Sequence, residues 1–167
     1  IFSTFLVNSE IRKKIKKIKK KSKLLDKTKQ NEIIDKLEFT LTEDQKKTLE
    51  EINNDLSSTN KMFRLLQGDV GSGKTIVSLI AAYNTINSGF QVAVMAPTEI
   101  LARQHYNFAK KLFPKEVNIE LISGKSEYKA KKEILKKLAN NEIDIIFGTH
   151  AIFQKKVNFK NLGLIII

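Results

Sequence analysis

The sequence contains no cysteine, which excludes a disulfide framework and any thiolate-held metal. Its two histidines, His105 and His150, stand far apart and show no ligand spacing, so no zinc site is expected. No run approaches the roughly 20 apolar residues that a membrane-spanning helix needs. The opening apolar stretch Ile1 to Val7 is far shorter, and no cleavage-site pattern follows it. A soluble, cytoplasmic protein with no membrane partner is the expectation. An initiator methionine is also lacking, and Leu164-Ile165-Ile166-Ile167 at the other end reads as the middle of a buried strand. The sequence is therefore read as a piece of a longer protein. No internal repeat is present.

What remains is an ordinary globular composition with an unusual charge. The 167 residues are 41% hydrophobic, enough for one compact domain with a sizeable core. Thirty Lys and Arg against 18 Asp and Glu leave a formal net charge of +12. That sign suits a surface that meets phosphate backbones. An AT-rich coding sequence rich in Lys, Asn and Ile would give the same excess, so charge alone does not decide for nucleic acid.

Residues 1–30 read as a basic helical linker. Within them Glu10 to Lys23 is dominated by Lys, with Ile11, Ile15 and Ile18 forming a narrow apolar stripe, so a solvated helix is expected there. Residues 31–167 read as one α/β domain. Asn31 to Leu56 is helical in pattern, with Thr42 as N-cap and Gln45 at the N3 position of a capping box, and Ser57-Ser58-Thr59-Asn60 marks a loop. Beyond it, apolar strands alternate with helices, the signature of a parallel sheet covered on both faces. Strands are predicted at Phe63–Gln67, Gln91–Ala96, Asn118–Ile122, Ile143–Phe147 and Leu164–Ile167. Helices are predicted at Lys74–Ser88, Thr98–Phe113 and Ser126–Ala139.

Gly68-Asp69-Val70-Gly71-Ser72-Gly73-Lys74-Thr75 fits the phosphate-binding pattern G-x-x-x-x-G-K-[ST] between a predicted strand and a predicted helix. Glycines let the backbone turn its N–H groups inward on phosphate oxygens, and the following helix aims its positive end at the same charge. Lys74 would reach the β- and γ-phosphates of ATP, and Thr75 would supply a hydroxyl to the Mg²⁺ that bridges them. Such a loop serves kinases, GTPases, transporters and helicases alike, so other residues must identify what it drives.

Three blocks carry a narrower resemblance. Arg64-Leu65-Leu66-Gln67 followed by the phosphate-binding loop resembles motif I of superfamily-two helicases, and within them the RecG family. Ala96-Pro97-Thr98-Glu99-Ile100-Leu101-Ala102-Arg103-Gln104-His105 is similar to that family's motif Ia. Gly148-Thr149-His150-Ala151-Ile152-Phe153-Gln154 is similar to its G-T-H-A block before motif II. The transcription-repair translocase Mfd shares the G-D-V-G and G-T-H patterns, but Ser72, the A-P-T-E block and Ala151-Ile152-Phe153-Gln154 fit RecG better. The resemblance runs from about Phe39 to Ile167.

The resemblance implies a RecA-like motor domain in an ATP-dependent helicase that remodels branched double-stranded DNA. It also implies a second motor domain and a DNA-binding wedge in the same protein. Gln45 falls at the position similar to the Q motif, where an amide pairs with adenine; a Gln that only closes its own capping box is the alternative. Thr98, Thr149 and His150 would contact DNA backbone, against plain capping for Thr98 and a packed loop histidine for His150. Arg103 and Gln104 fall on a helix whose expected core positions are Ile100, Leu101, Phe108 and Leu112. The paired lysines, including Lys131-Lys132 and Lys136-Lys137, read as exposed faces that steer DNA at long range.

One departure from the family is an absence. The D-E-x-H carboxylates that should follow the last strand are not in the sequence, so this piece alone is expected to bind nucleotide weakly and not to hydrolyse it. Two rivals stand beside the motor: another phosphate-loop enzyme such as a small-molecule kinase, and a basic DNA-binding module with a degenerate nucleotide pocket.

Overall fold

The computed structural model of the chain describes residues 19–124, 128–154 and 157–167. Helix α1 (Lys27–Ile34) starts at Asp26, whose side chain accepts from the Thr28 and Lys29 N–H groups. Helix α2 (Glu43–Ser57) starts on the expected capping box: Thr42 Oγ1 accepts from Gln45 N at 3.2 Å, and Gln45 Oε1 accepts from Thr42 N at 2.9 Å. There follow α3 (Lys74–Asn87), β1 (Gln91–Met95), α4 (Glu99–Leu112), β2 (Ile119–Ile122), α5 (Tyr128–Ala139) and β3 (Ile145–Gly148). A short 3-10 turn (His150–Phe153) and β4 (Leu162–Ile166) complete the chain.

The four strands are parallel in the order β2-β3-β1-β4, so all their carboxyl ends share one edge. The period of two along each strand sorts side chains between two cores. Val92, Val94, Ile145 and Phe147 face α3 and α4, while Ala93, Ile146 and Ile122 face α5 and the 3-10 turn. Helix α3 is apolar around most of its girth, because it is clamped between the sheet and the α1–α2 layer. A knot of amides joins those three helices. Asn84 Nδ2 donates to Gln30 Oε1 at 2.7 Å and to Asn53 Oδ1 at 2.9 Å, and Asn53 Nδ2 donates to Gln30 Oε1.

Four of the five predicted strands form, within a residue or two of their expected bounds. The strand predicted at Phe63–Gln67 does not. Residues 61–69 are extended yet join no ladder among the described residues. They stand off from the outer edge of β4 across a cavity of about 340 Å³, with Met62, Arg64, Leu65 and Leu66 on one wall and Leu164 to Ile167 on the other. An extended segment becomes a strand only with a partner edge about 4.8 Å away, and here the cavity intervenes.

The core of α4 also differs from expectation. Leu112 is buried, but Ile100 is 81% exposed and Leu101 and Phe108 are only partly covered. The packed stripe is instead Ala102, Tyr106 and Ala109. The two alanines bring the helix axis close to the sheet, and the Tyr106 ring packs edge-on to Phe147 at 6.3 Å.

Of the basic helix expected over Glu10–Lys23, Glu10 to Ile18 lie outside the described residues, and Lys19 to Lys23 are not helical. They form a strap along the carboxyl end of α2. Lys20 N donates to Thr59 O and Lys23 N to Leu56 O, and the Lys20 ammonium donates to Leu56 O at 2.7 Å and Asp55 O at 3.2 Å. A cation at those last carbonyls matches the negative end of the helix dipole. Lys23 is almost fully buried, its ammonium 4.9 Å from the Phe90 ring centre. Burial, aided by the neighbouring Lys20 charge, pushes the Lys23 pKa down to about 8.

Candidate nucleotide and nucleic-acid site

The turn from residue 68 to residue 73 needs its glycines for definite reasons. Gly71 and Gly73 have φ of 82° and 79°, in the left-handed region that side chains disfavour. A Cβ on Gly68 would lie 2.8 Å from Ser72 Oγ, and one on Gly73 would run into Gln45 Nε2. Gly73 is the N-cap of α3 and offers no side chain there. The helix's first N–H groups therefore remain available, as they are at every uncapped helix start. Among the described residues the N–H groups of Gly73, Lys74 and Thr75 donate to no backbone acceptor.

The Lys74 ammonium curls back over the loop and donates to Gly68 O at 2.8 Å, Asp69 O at 2.6 Å and Ser72 Oγ at 3.4 Å. Thr75 makes no side-chain hydrogen bond among the described residues and lines the 340 Å³ cavity together with Lys74 and Ser78. That cavity lies beside the glycine turn, and the turn itself is open to solvent, with Val70 wholly exposed. Unpaired N–H groups, an ammonium held only by neutral acceptors and a free hydroxyl form a donor set suited to a metal-bound polyphosphate.

Gln45 is tied into the same loop. Its Nε2 donates to Ser72 O at 2.9 Å while its Oε1 holds the capping box. The capping alternative for Gln45 is thus realised, and the bond to the loop is an addition that no local pattern announced. An amide has two N–H groups and two acceptor sites, so one of each remains for a further partner.

Thr98 and Thr149 sit at the carboxyl ends of neighbouring strands. Ala96 N donates to Gly148 O at 2.9 Å, which joins the two exits side by side. A Cβ on Gly148 would meet Ile122 O of β2 and Ile152 Cγ2 of the 3-10 turn, each at 2.7 Å, so glycine lets those two approach the end of β3. Thr98 is exposed and caps α4, accepting from Leu101 N at 3.3 Å. Thr149 precedes the 3-10 turn without a capping bond, and His150 is exposed, not packed. The nucleotide loop, Thr98, Thr149 and His150 all lie along the same edge of the sheet. His105, read on sequence only as lacking zinc-ligand spacing, lines the cavity with Lys74 and Thr75, and burial lowers its pKa.

The DEAD/DEAH box helicase family matches the chain over residues 42–167. The chain belongs to that family. DEAD/DEAH box helicases use ATP, which agrees with the loop just described. The chain is 50% identical over 135 residues to the ATP-dependent DNA helicase RecG of Aquifex aeolicus, covering 80% of this chain and 17% of that protein. It is 52% identical over 134 residues to the same helicase of Bacillus subtilis, covering 80% of this chain and 20% of that one. It thus spans about a fifth of the length of the curated relatives it matches. The solved structure of RecG bound to a three-way DNA junction superposes on 93% of this chain with a TM-score of 0.88 at 43% identity, covering 22% of that chain. The bacteriophage T4 UvsW helicase matches with a TM-score of 0.57 at 20% identity, over 87% of this chain and 51% of its own, a likeness of fold. The resemblance to RecG read from motifs I and Ia and the G-T-H-A block is borne out, and these relatives favour it over Mfd.

Proposed function

We propose that this chain is part of the first motor domain of a RecG-like helicase that uses ATP and Mg²⁺ to move on and remodel branched double-stranded DNA. The observation that carries this reading is the joint one. The phosphate loop and the Thr98 and Thr149 exits share one sheet edge, in a fold that superposes at 0.88 on a RecG bound to a DNA junction. In this reading residues 1–30 link a preceding DNA-binding domain to the motor domain of residues 31–167, and a second motor domain completes the ATP site. We assign the protein to the cytoplasm. No helix among the described residues is long and apolar enough to cross a membrane.

The residues divide the work as their chemistry allows. Backbone N–H groups of residues 68 to 75 hold phosphate oxygens, and Lys74 moves from the Gly68 and Asp69 carbonyls to the β- and γ-phosphates. Thr75 offers its hydroxyl to Mg²⁺. When bound, the ion offsets phosphate charge that would otherwise repel an attacking water. Gln45 pairs with adenine through the donor and acceptor left over from its capping and loop bonds. Because Gln45 also holds Ser72 O, adenine at Gln45 and phosphate at the loop bias one connected unit. Thr98, Thr149 and His150 grip the DNA backbone without reading bases.

The test is ATP turnover and junction unwinding by the intact protein. Branched DNA should stimulate turnover, and Lys74→Ala should abolish both activities while DNA binding without nucleotide persists. Turnover indifferent to DNA, with transfer of phosphate to a small molecule, would contradict the proposal in favour of a kinase.

A further inference from the structure

The lysines of α5 differ in their surroundings. Lys137 is paired one turn back with Glu133, Nζ to Oε1 at 3.0 Å. Lys129, Lys132 and Lys136 are exposed, and among the described residues no carboxylate pairs with them. Spaced three and four positions apart, they form one ridge of the helix, away from Ile134, Leu135 and Leu138, which pack on the sheet. Like charges at that spacing destabilise a helix, and Glu133, one turn from both Lys129 and Lys136, is engaged by Lys137.

The ridge has a definite place relative to the sheet edge. A Cβ on Gly124, just beyond β2, would lie 3.7 Å from Glu99 Oε1, so the chain enters the α5 region beside the first turn of α4. From there α5 runs back along the face of the sheet opposite α3 and α4. Lys129 therefore lies at the end of α5 that starts from the carboxyl edge of the sheet, and Lys136 farther down the flank. Lys129 to Lys136 spans about 10 Å at about 1.5 Å per residue. Over that distance each strand of a duplex presents about three phosphates, at about 3.4 Å of axis each. Ammonium groups on flexible stems suit interactions that hold phosphate without demanding one geometry.

We infer that Lys129, Lys132 and Lys136 form a phosphate-binding ridge for duplex DNA, extending the DNA path from the Thr98 and Thr149 edge down the outer flank of the domain. The inference rests on the DNA reading proposed above and adds a surface to it.

The experiment compares the intact protein with a triple variant, Lys129→Gln, Lys132→Gln and Lys136→Gln, and with a control of equal charge change on the α1 side, Lys27→Gln, Lys29→Gln and Lys36→Gln. Affinity for a branched duplex is measured over a salt series. The ridge variant should bind more weakly. Its slope of log K against log salt should be shallower by about 0.9 for each phosphate that is no longer neutralised, up to about 3 in total. The control should keep the parental slope, Lys→Arg changes on the ridge should restore it, and basal ATP turnover without DNA should be unchanged in all variants. An unchanged slope in the ridge variant, including the case where the ridge instead captures an acidic protein, would overturn the inference. So would an equal loss in the control, which would mark a mere net-charge effect. If the parent protein itself shows no salt-dependent affinity for branched DNA, the underlying DNA reading fails instead.

Discussion

Lys74 and Lys23 occupy opposite ends of the same sheet and meet opposite environments. Lys74, at the edge where the strands end, is surrounded by acceptors that compete weakly for its charge: two loop carbonyls and a hydroxyl. Lys23, near the strand beginnings, lies against the Phe90 ring and close to Gly163, with almost no exposure. One end keeps an ammonium ready to change partners; the other buries an amine and favours its neutral form. The contrast separates residues that a ligand must be able to reach from residues that hold the strap of Lys19 to Lys23 against the domain.

That contrast can be broken by substitution. The largest effect expected is from Lys74→Ala in the intact protein. ATP turnover should fall by at least about a hundredfold, as when a preorganised electrostatic stabiliser is removed, with melting temperature nearly unchanged. A large loss of stability would mean that Lys74 is structural after all. At the opposite end, Gly163→Ala would force a Cβ into Phe90 and toward Lys23. A cost of about 1–3 kcal/mol is expected from such overpacking, read in denaturant melts, with ATP affinity retained. Thr42→Ala removes a capping bond and should cost about 1 kcal/mol. Gln45 Oε1 still accepts from the residue-42 N–H in this variant, so a loss of ATP affinity beyond the stability change would show that the Thr42 hydroxyl helps to position the bond from Gln45 to the loop.

The smallest effect concerns pH. Folded Lys23 titrates near 8, against an ordinary value of 10.5 in the unfolded chain. Between those values the unfolded state binds the extra proton, so stability should rise with pH across this window. Lys23→Met should flatten that rise and make the protein more stable at pH 7, as seen in melts from pH 7 to 10. An unchanged pH profile in Lys23→Met would show that the amine is solvated and the contrast with Lys74 false.

Much of the site was legible in the sequence because it depends on backbone constraints that leave local marks. Gly71 and Gly73 occupy positive φ, and Thr42 with Gln45 closes a capping box; each requirement restricts residue type at a fixed spacing. The apolar runs of β1 to β4 were equally plain. What escaped depends on distant partners. Phe63 to Gln67 has the composition of a strand but stands across a cavity from the nearest edge. Ile100 and Phe108 have core chemistry on the wrong side of a helix held by Ala102 and Ala109. The bond from Gln45 to Ser72 spans 27 positions, and Lys23 is buried by the start of a sheet more than 60 residues away. Neither can be read from a neighbourhood of ten.

The central claim is that the loop from Gly68 to Thr75 is a working polyphosphate site. Direct titration of the intact protein with ATP in the presence and absence of Mg²⁺ tests it most simply. Saturable binding at one site, strengthened by Mg²⁺ and lost in Lys74→Ala without a fall in melting temperature, is the predicted result. Equal affinity in parent and variant would contradict it.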